Sequence, residues 1–284
     1  MILTDSSSAR VQSSVVTSIV SVSASFLQFM QYAALTVSSA ISGTIGLVKN
    51  GAAQLTLSGT CTYTGATQIN AGTLAVTGAS TLNGVISGSG SLTKTGTAVL
   101  TIGGNNTYSG GTSFVSGGLA GLIEYSSNNA FGTGLFTVSN AAGRIDTVGN
   151  VTLSNNFQLN TSLQYRTIGA NTITVTGNIA GTGNVSKTGN GILILSGTLT
   201  YTGQTIITTG SIQASKTTGS STATASFGTI ATLSVSFNVP PAAGTQTFRF
   251  FQGSTSRTYT AVTLVNAPGR TATYNSTNST LTVT

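Results

Sequence analysis

The chain has 284 residues, of which ten are Lys or Arg and three are Asp or Glu, so its formal net charge is +7. It contains no His, no Trp and a single Cys. These counts exclude catalytic sites that need a His and metal sites that need clustered Cys, His or carboxylates. We therefore expect a protein that is not an enzyme and that holds no cofactor and no metal.

The remaining composition indicates an ordered chain made almost entirely of strands. Hydrophobic residues make up 39% of the chain, Gly numbers 36 and Pro only three. Val, Ile and Thr prefer strands, and Gly, Asn and Ser are typical of the turns between them. The basic residues are scattered rather than clustered, so we expect no nucleic-acid partner. No run of about 18 apolar residues occurs, so we expect no membrane span.

Residues 1–42 form an apolar segment that precedes the repeats. Around residues 20–26 apolar residues alternate with Ser, which predicts a half-buried strand, whereas the apolar residues from Phe26 to Val37 could also line one face of a helix. The segment is interpreted either as a cap over the first coil or as an element that joins a neighbouring subunit. The candidate intersubunit residues are Val20, Val22, Phe26, Phe29 and Met30.

Residues 43–232 contain three copies of one long pattern, which align without a gap. The copies are GTIGLVKNGAAQLTLSGTCTYTGATQINAGTL from residue 43, GSGSLTKTGTAVLTIGGNNTYSGGTSFVSGGL from residue 88, and GTGNVSKTGNGILILSGTLTYTGQTIITTGSI from residue 181. A Lys is followed by Gly two residues later, Tyr after fourteen, Gly after sixteen and Thr after eighteen. These repeated positions are Lys49, Gly51, Tyr63, Gly65 and Thr67; Lys94, Gly96, Tyr108, Gly110 and Thr112; and Lys187, Gly189, Tyr201, Gly203 and Thr205.

The spacing of the copies predicts a stack of coils. The first two copies are offset by 45 residues and the last two by 93, about twice as far, with a degenerate copy between them. Short strands separated by Gly, with a long fixed period, favour a parallel β-solenoid over a sandwich. One copy then makes about two coils of about 22 residues each.

Single residues of the pattern each allow two interpretations. The repeated Lys residues are expected to be solvated turn residues, or else a basic ladder for polysaccharide or membrane. The repeated Tyr residues are expected to pack in or beside the coil, or else to stack on sugars. Cys61 is expected to be a half-buried strand residue, or else to form an intermolecular bridge, and Glu124 with Asp146 is a weak candidate for an acid pair.

Residues 233–284 follow the last copy. Their two most strand-like stretches, around Phe248 and around Val262, predict closing strands of the solenoid or a small C-terminal β cap.

The repeated pattern resembles the autotransporter-associated, or passenger-associated, β-strand repeat. Residues 88–96 and 106–112 match its two halves, whereas the other copies depart at Ile45, Asn50 and Gln204. The resemblance implies a secreted, right-handed parallel β-helix at the cell surface or released from it. It implies no catalytic residues, so the repeats are scaffold.

Three functions are consistent with this pattern. The first is a structural subunit that binds itself head to tail and forms an extracellular filament or matrix. The alternative is a surface adhesin that binds host or glycan, with cell-surface or matrix polysaccharide as its partner. The third is a β-helical phage fibre or tailspike without a catalytic groove. Low charge and low complexity favour the filament, because adhesive surfaces usually gather aromatic and charged residues.

Overall fold

The structure is a computed structural model, and it describes residues 9–11, 15–16, 25–116, 118 and 121–215, followed by the separate strands 224–227, 232–236, 246–249, 261–265, 272–275 and 280–283. The described residues form strands joined by turns, with no helix among them. The chain divides into two compact units, Met1–Ile145 and Asp146–Thr284. Each unit is a β-solenoid in which the strands of one coil pair in parallel with those of the next.

The first unit has three parallel sheets. Sheet 1 contains β1 (Ala9–Val11), β3 (Phe26–Met30), β5 (Gly46–Asn50), β7 (Thr67–Ile69) and β10 (Ile86–Ser87). Sheet 2 contains β2 (Val15–Val16), β4 (Leu35–Val37), β6 (Leu55–Leu57), β8 (Thr73–Val76), β11 (Ser91–Gly96), β13 (Thr112–Ser116) and β15 (Phe136–Asn140). Sheet 3 contains β9 (Ser80–Leu82), β12 (Val99–Ile102) and β14 (Leu122–Tyr125), and β16 (Gly143–Thr147) crosses the unit boundary.

The second unit repeats this arrangement. One parallel sheet contains β17 (Val151–Leu153), β20 (Thr172–Val175), β23 (Ile192–Leu195), β25 (Ser211–Ser215), β27 (Thr232–Ser236) and β29 (Ala261–Val265). The others contain β18 (Phe157–Leu159) with β21 (Ile179–Gly181), and β19 (Leu163–Thr167) with β22 (Val185–Thr188), β24 (Gln204–Ile207) and β26 (Thr224–Phe227). Near the C-terminus β28 (Gln246–Arg249), β31 (Thr280–Val283) and β30 (Ala272–Asn275) form a separate antiparallel sheet, and its role as a cap stays a prediction.

The strand register shows how the coils are stacked. In sheet 2 the positions that pair from one coil to the next are Leu35, Leu55, Leu74, Leu92, Thr112 and Phe136. In the second unit they are Val151, Ile173, Leu193 and Ile212. The prediction of a parallel β-solenoid is confirmed. The coils are close to the predicted length, but they are not all equally long.

The core of each coil is built from the inward-facing residues of its short strands. Leu55 and Leu57 are buried on either side of the partly exposed Thr56, as the period of two in a strand requires. The longest coil of sheet 2 lies between β13 and β15, and aromatic rings fill its wider interior. The ring centroids of Phe131 and Phe136 are 4.7 Å apart, and those of Phe131 and Tyr125 are 5.0 Å apart.

The N-terminal strands continue the parallel sheets of the repeats. Strand β3 pairs with β5, and β4 pairs with β6. Residues 26–30 are therefore a strand and not a helix. Val20 and Val22 lie outside the described residues. Whether the segment caps a subunit or joins a neighbour stays a prediction.

Candidate functional site

The three repeated lysines point into the solenoid. Lys49, Lys94 and Lys187 lie in β5, β11 and β22, and each has no exposed surface. The expectation that they are solvated turn residues is therefore wrong. Each lysine alternates with outward-facing neighbours on its strand, so the direction of its side chain follows from strand parity, and the charge enters the core.

Backbone carbonyl oxygens surround each buried ammonium group. In every copy the Nζ donates hydrogen bonds to the carbonyl oxygens of the next two residues, at 3.3 and 2.8 Å for Lys49, 2.6 and 3.1 Å for Lys94, and 2.6 and 2.7 Å for Lys187. Two of the lysines also bind a neighbouring coil. Lys49 Nζ donates to the Ala71 carbonyl oxygen at 3.1 Å, and Lys187 Nζ to Thr167 Oγ1 at 3.2 Å.

These contacts explain why a lysine is tolerated in the core. Burial lowers the pKa of all three ammonium groups, to about 8 for Lys94 and Lys187. The partners named above are backbone and hydroxyl oxygens, which carry partial negative charge and are fixed by the turn. The lysine therefore acts as an internal donor that satisfies the carbonyl oxygens where the coil bends.

Two residues after each lysine, the backbone adopts a left-handed conformation with positive φ. Gly51, Gly96 and Gly189 have φ of 81°, 73° and 80°. The stretch between the second and third copies is degenerate. Two coils after Lys94, the position in register with it is occupied by Val138, and the position in register with Gly96 is occupied by Asn140. Asn140 has φ of 78°, which Asn tolerates better than most side chains. The turn is thus kept where the lysine is lost.

The repeated tyrosines are core residues, as predicted from their fixed place in each copy. Tyr63, Tyr108 and Tyr201 are 1%, 0% and 4% exposed. Each phenol is hydrogen-bonded to the hydroxyl of the Thr four residues later, at 2.8, 2.5 and 2.5 Å. The Thr at this position therefore partners a hydroxyl that would otherwise be buried without a hydrogen bond. Burial raises the pKa of all three tyrosines.

The glycine between Tyr and Thr allows close contact between coils. A Cβ at Gly65, Gly110 or Gly203 would lie closer than 3.0 Å to backbone atoms of the preceding coil. For Gly110 and Gly203 those atoms include Gly90 and Gly183, the second glycine of the G-x-G that opens the same copy. The two halves of a copy are therefore stacked backbone on backbone.

The two halves of each copy of the repeat lie on adjacent coils and pair with each other. Lys49 is paired in register with Ile69, Lys94 with Phe114, and Lys187 with Ile207. The strand that carries the lysine thus lies one coil from the strand that contains the repeated Thr. Because the first two copies are offset by more than two coils, Lys49 lies in sheet 1 and Lys94 in sheet 2. These two lysines do not stack, so the interpretation as a basic ladder is also wrong.

The candidate intersubunit residues in β3 point in two directions. Phe29 is buried in the core, whereas Phe26 is 36% exposed and Met30 is partly exposed on the outer side of the strand. The ring of Phe26 covers the position where Gly46 of the next coil lacks a side chain. An intersubunit role for these residues stays a prediction.

The other polar candidates have structural partners. Asp146 is buried and pairs with Arg166 at 2.9 Å, and Glu124 accepts a hydrogen bond from Thr101 at 3.3 Å. Cys61 is a free thiol that is fully buried rather than half-buried. Within the described residues no group of three His, Cys, Asp or Glu could hold a metal ion. In the same part of the chain no helix is long and apolar enough to cross a membrane.

One structural residue was not predicted from the sequence. Asn106 is 1% exposed; its Oδ1 accepts from the Ile86 amide at 2.7 Å, and its Nδ2 donates to the Ala130 carbonyl oxygen at 2.7 Å. It therefore bridges three consecutive coils. The other copies have Cys61 and Leu199 at this position, so the repeat pattern carries no signal for it.

Parallel coils with an inward lysine, an inward tyrosine and stacked glycines at fixed positions define a repetitive β-solenoid. The family model of the passenger-associated-transport-repeat matches residues 47–76, 92–120 and 185–214, so the chain contains three repeats of this type. This confirms the resemblance drawn from the repeats, and the family implies a secreted or cell-surface protein. No curated protein sequence and no solved structure matches the chain.

Proposed function

We propose that this protein is a non-enzymatic, secreted structural subunit that assembles end to end into an extracellular filament or matrix. The observation that carries the proposal is the way the coils are joined. They stack through backbone hydrogen bonds in parallel register, although the coils differ in length and carry different side chains. Stacking therefore requires little similarity in sequence between one coil and the next.

The outermost strands can form the same backbone hydrogen bonds with a second subunit. Among the described residues, strands β1 and β2 are the terminal strands of sheets 1 and 2. The outer edge of a terminal parallel strand presents N–H and C=O groups to any strand that approaches in register. Addition of another copy at this edge is a head-to-tail contact that does not close on itself, which produces a filament.

Electron microscopy of the purified full chain tests the proposal. We expect unbranched filaments of uniform width, whereas dispersed single rods at every concentration would overturn it.

A matched pair of variants, Val15→Pro and Val16→Pro in β2, locates the contact. Adjacent residues of a strand direct their N–H groups to opposite sides, so one proline removes a bond to β4 and the other blocks the outer edge. We expect the outward variant to lose filaments at unchanged circular dichroism.

A surface adhesin is a second candidate, because one aromatic side chain is displayed in a turn. Tyr32 is 91% exposed, and an exposed ring of this kind can stack on a sugar. Binding to a panel of glycans tests this function. We expect Tyr32→Ser to abolish any glycan binding of an adhesin without changing its melting temperature, and undiminished binding would contradict a role for Tyr32.

A further inference from the structure

The chain contains three Asn-Gly dipeptides, a sequence that is prone to spontaneous deamidation. In this reaction the backbone nitrogen of the glycine attacks the side-chain carbonyl carbon of the asparagine. Glycine favours the attack, because it has no side chain to hinder ring formation and its backbone is conformationally permissive. The folded coils hold the three dipeptides in different ways, so the structure ranks what the sequence alone does not. The dipeptides are Asn50-Gly51, Asn83-Gly84 and Asn190-Gly191.

Hydrogen bonds hold two of the three dipeptides in place. Asn50 is the last residue of β5, and its Oδ1 accepts a hydrogen bond from Asn70 Nδ2 of the next coil at 2.8 Å. In the third dipeptide the attacking atom itself is engaged, because the Gly191 N–H donates to the buried Thr167 Oγ1 at 2.9 Å. Attack at Asn50 or Asn190 therefore requires that a hydrogen bond breaks first.

The remaining dipeptide, Asn83-Gly84, lies in the turn between the strands β9 and β10. The Asn83 side chain is exposed, and within the described residues neither this side chain nor the Gly84 N–H has a hydrogen-bond partner. The side chain lies beside Gly103 of the next coil, where a Cβ would be only 2.6 Å from its Oδ1. The missing side chain of Gly103 thus leaves room for the amide. The carbonyl group that reacts is open to solvent and free to turn towards the Gly84 nitrogen.

We propose that Asn83 is a site of spontaneous deamidation in the folded protein, with water as the co-reactant. The Gly84 nitrogen forms a bond to Cγ of Asn83, the bond from Cγ to the side-chain nitrogen breaks, and ammonia leaves with the proton of the Gly84 amide. Water then adds to one of the two carbonyl groups of the cyclic imide. Cleavage between Cγ and the Gly84 nitrogen gives aspartate, and cleavage at the main-chain carbonyl gives isoaspartate.

The products change the charge of the turn and, in one form, its length. Either product adds a negative charge to an exposed position that was neutral. Isoaspartate leads the backbone through the former side chain and so inserts one more carbon between β9 and β10. Strand β9 pairs with β12 and β10 pairs with β7, so the turn must absorb the extra atom or one of these registers shifts. We therefore expect the isoaspartate form to unfold at a lower temperature.

The reaction needs no enzyme and proceeds with time, so it distinguishes old molecules from new ones. This matters for a secreted protein, because such a protein stays outside the cell that made it. The inference is independent of the proposed filament: Asn83 is expected to react in a single subunit as well as in an assembly.

Comparison of the folded and the unfolded chain tests the proposal. The purified full chain is incubated at mildly alkaline pH in water labelled with heavy oxygen, with and without guanidinium, and peptide mass spectrometry measures the label at each asparagine. Breaking one hydrogen bond of ordinary strength slows the attack by up to about tenfold. In the folded chain we expect Asn83 to react about tenfold faster than Asn50 and Asn190. In guanidinium the three rates are expected to become similar, because the coils no longer distinguish the dipeptides.

The variant Asn70→Ala provides a matched test at another dipeptide. It removes the hydrogen bond to Asn50 at an exposed position and leaves the turn of Asn83 as it is. We expect faster reaction at Asn50 in the folded variant and an unchanged rate at Asn83. Equal rates at the three sites of the folded wild type, or a folded chain in which Asn83 does not react although the unfolded chain does, would overturn the proposal. An unchanged rate at Asn50 in the variant would overturn the ranking by hydrogen bonds on which the proposal rests.

Discussion

Replacement of the buried lysine of the second repeat by methionine tests how the repeat is stabilised. Lys94 Nζ donates to the carbonyl oxygens of Thr95 and Gly96 at 2.6 and 3.1 Å. Methionine keeps most of the apolar stem, so the substitution removes the ammonium group and little of the packing. The carbonyl oxygens stay where they are, because they belong to the turn.

The expected loss follows from two opposing contributions. Hydrogen bonds to a charged group contribute about 1.5–3 kcal/mol each, so two of them contribute about 3–6 kcal/mol. Burial lowers the pKa of Lys94 from 10.5 to about 8. This corresponds to a cost of at most about 3 kcal/mol for keeping the charge in the core at neutral pH, since solvent screening reduces it. Subtracting the cost of the buried charge from the contribution of the hydrogen bonds predicts that Lys94→Met lowers the free energy of unfolding by about 2 kcal/mol. For a chain of this size, this corresponds to a fall of roughly 4–8 °C in melting temperature.

Thermal and guanidinium unfolding followed by circular dichroism measure this loss. The matched control is Thr93→Met, which puts the same side chain at the adjacent, outward-facing position of β11 and is expected to change stability by less than about 0.5 kcal/mol. A Lys94→Met variant as stable as the wild type, or more stable, would refute the stabilising role of the ammonium group. In that case the free energy gained by removing the buried charge would equal or exceed the cost of leaving the carbonyl oxygens without a hydrogen bond.

The remaining predictions concern the other parts of the repeat. Tyr108→Phe removes the hydrogen bond to the following Thr and should cost about 1 kcal/mol in the free energy of unfolding, measured by guanidinium titration. Gly110→Ala places a Cβ 2.5 Å from backbone atoms of the preceding coil and should cost more than about 3 kcal/mol or prevent folding, whereas Gly149→Ala, with no atom within 4 Å of its Cβ, should be nearly neutral in the same assay. Asn140→Val should lower the melting temperature by an amount equivalent to about 1–2 kcal/mol, because a β-branched residue is strained at φ of 78°, and Asn140→Gly should not. Stability should rise between about pH 8 and pH 10, because the unfolded chain keeps protons that the buried lysines have lost. It should fall above about pH 10, because the unfolded tyrosines ionise and the buried ones do not. A pH series of guanidinium midpoints checks both signs, and a flat profile from about pH 8 to 10 would contradict the first.

Much of the fold is predictable from the repeated pattern because the pattern records contacts between neighbouring coils. A solenoid coil meets mainly the coil before it and the coil after it, so similar environments recur along the chain and favour similar residues. The tyrosine at its fixed place and the glycines at the bends follow directly from this repetition. The hydrogen bond between Tyr63 and Thr67, with its two equivalents, is the physical reason for a spacing of four residues that the sequence shows without explaining.

The direction of the lysines is the clearest case in which the pattern was insufficient. Lys is among the residue types least expected in a core, and a run such as Leu92-Thr93-Lys94-Thr95-Gly96 is equally consistent with a solvated bend. Only the strand register shows that Lys94 shares the inward side of β11 with Leu92. Only the position of the turn shows that carbonyl oxygens are available there to accept its hydrogen bonds.

Composition and spacing are enough to establish that this chain is all-β, repetitive and poor in charge. These properties are local, and they recur from copy to copy. Two others emerge only from the folded coils: the sheet in which each copy begins and the side of the strand that carries Lys94. They depend on coil lengths that vary along the chain, so the stacking partner of a residue is known only when the coils are folded against each other.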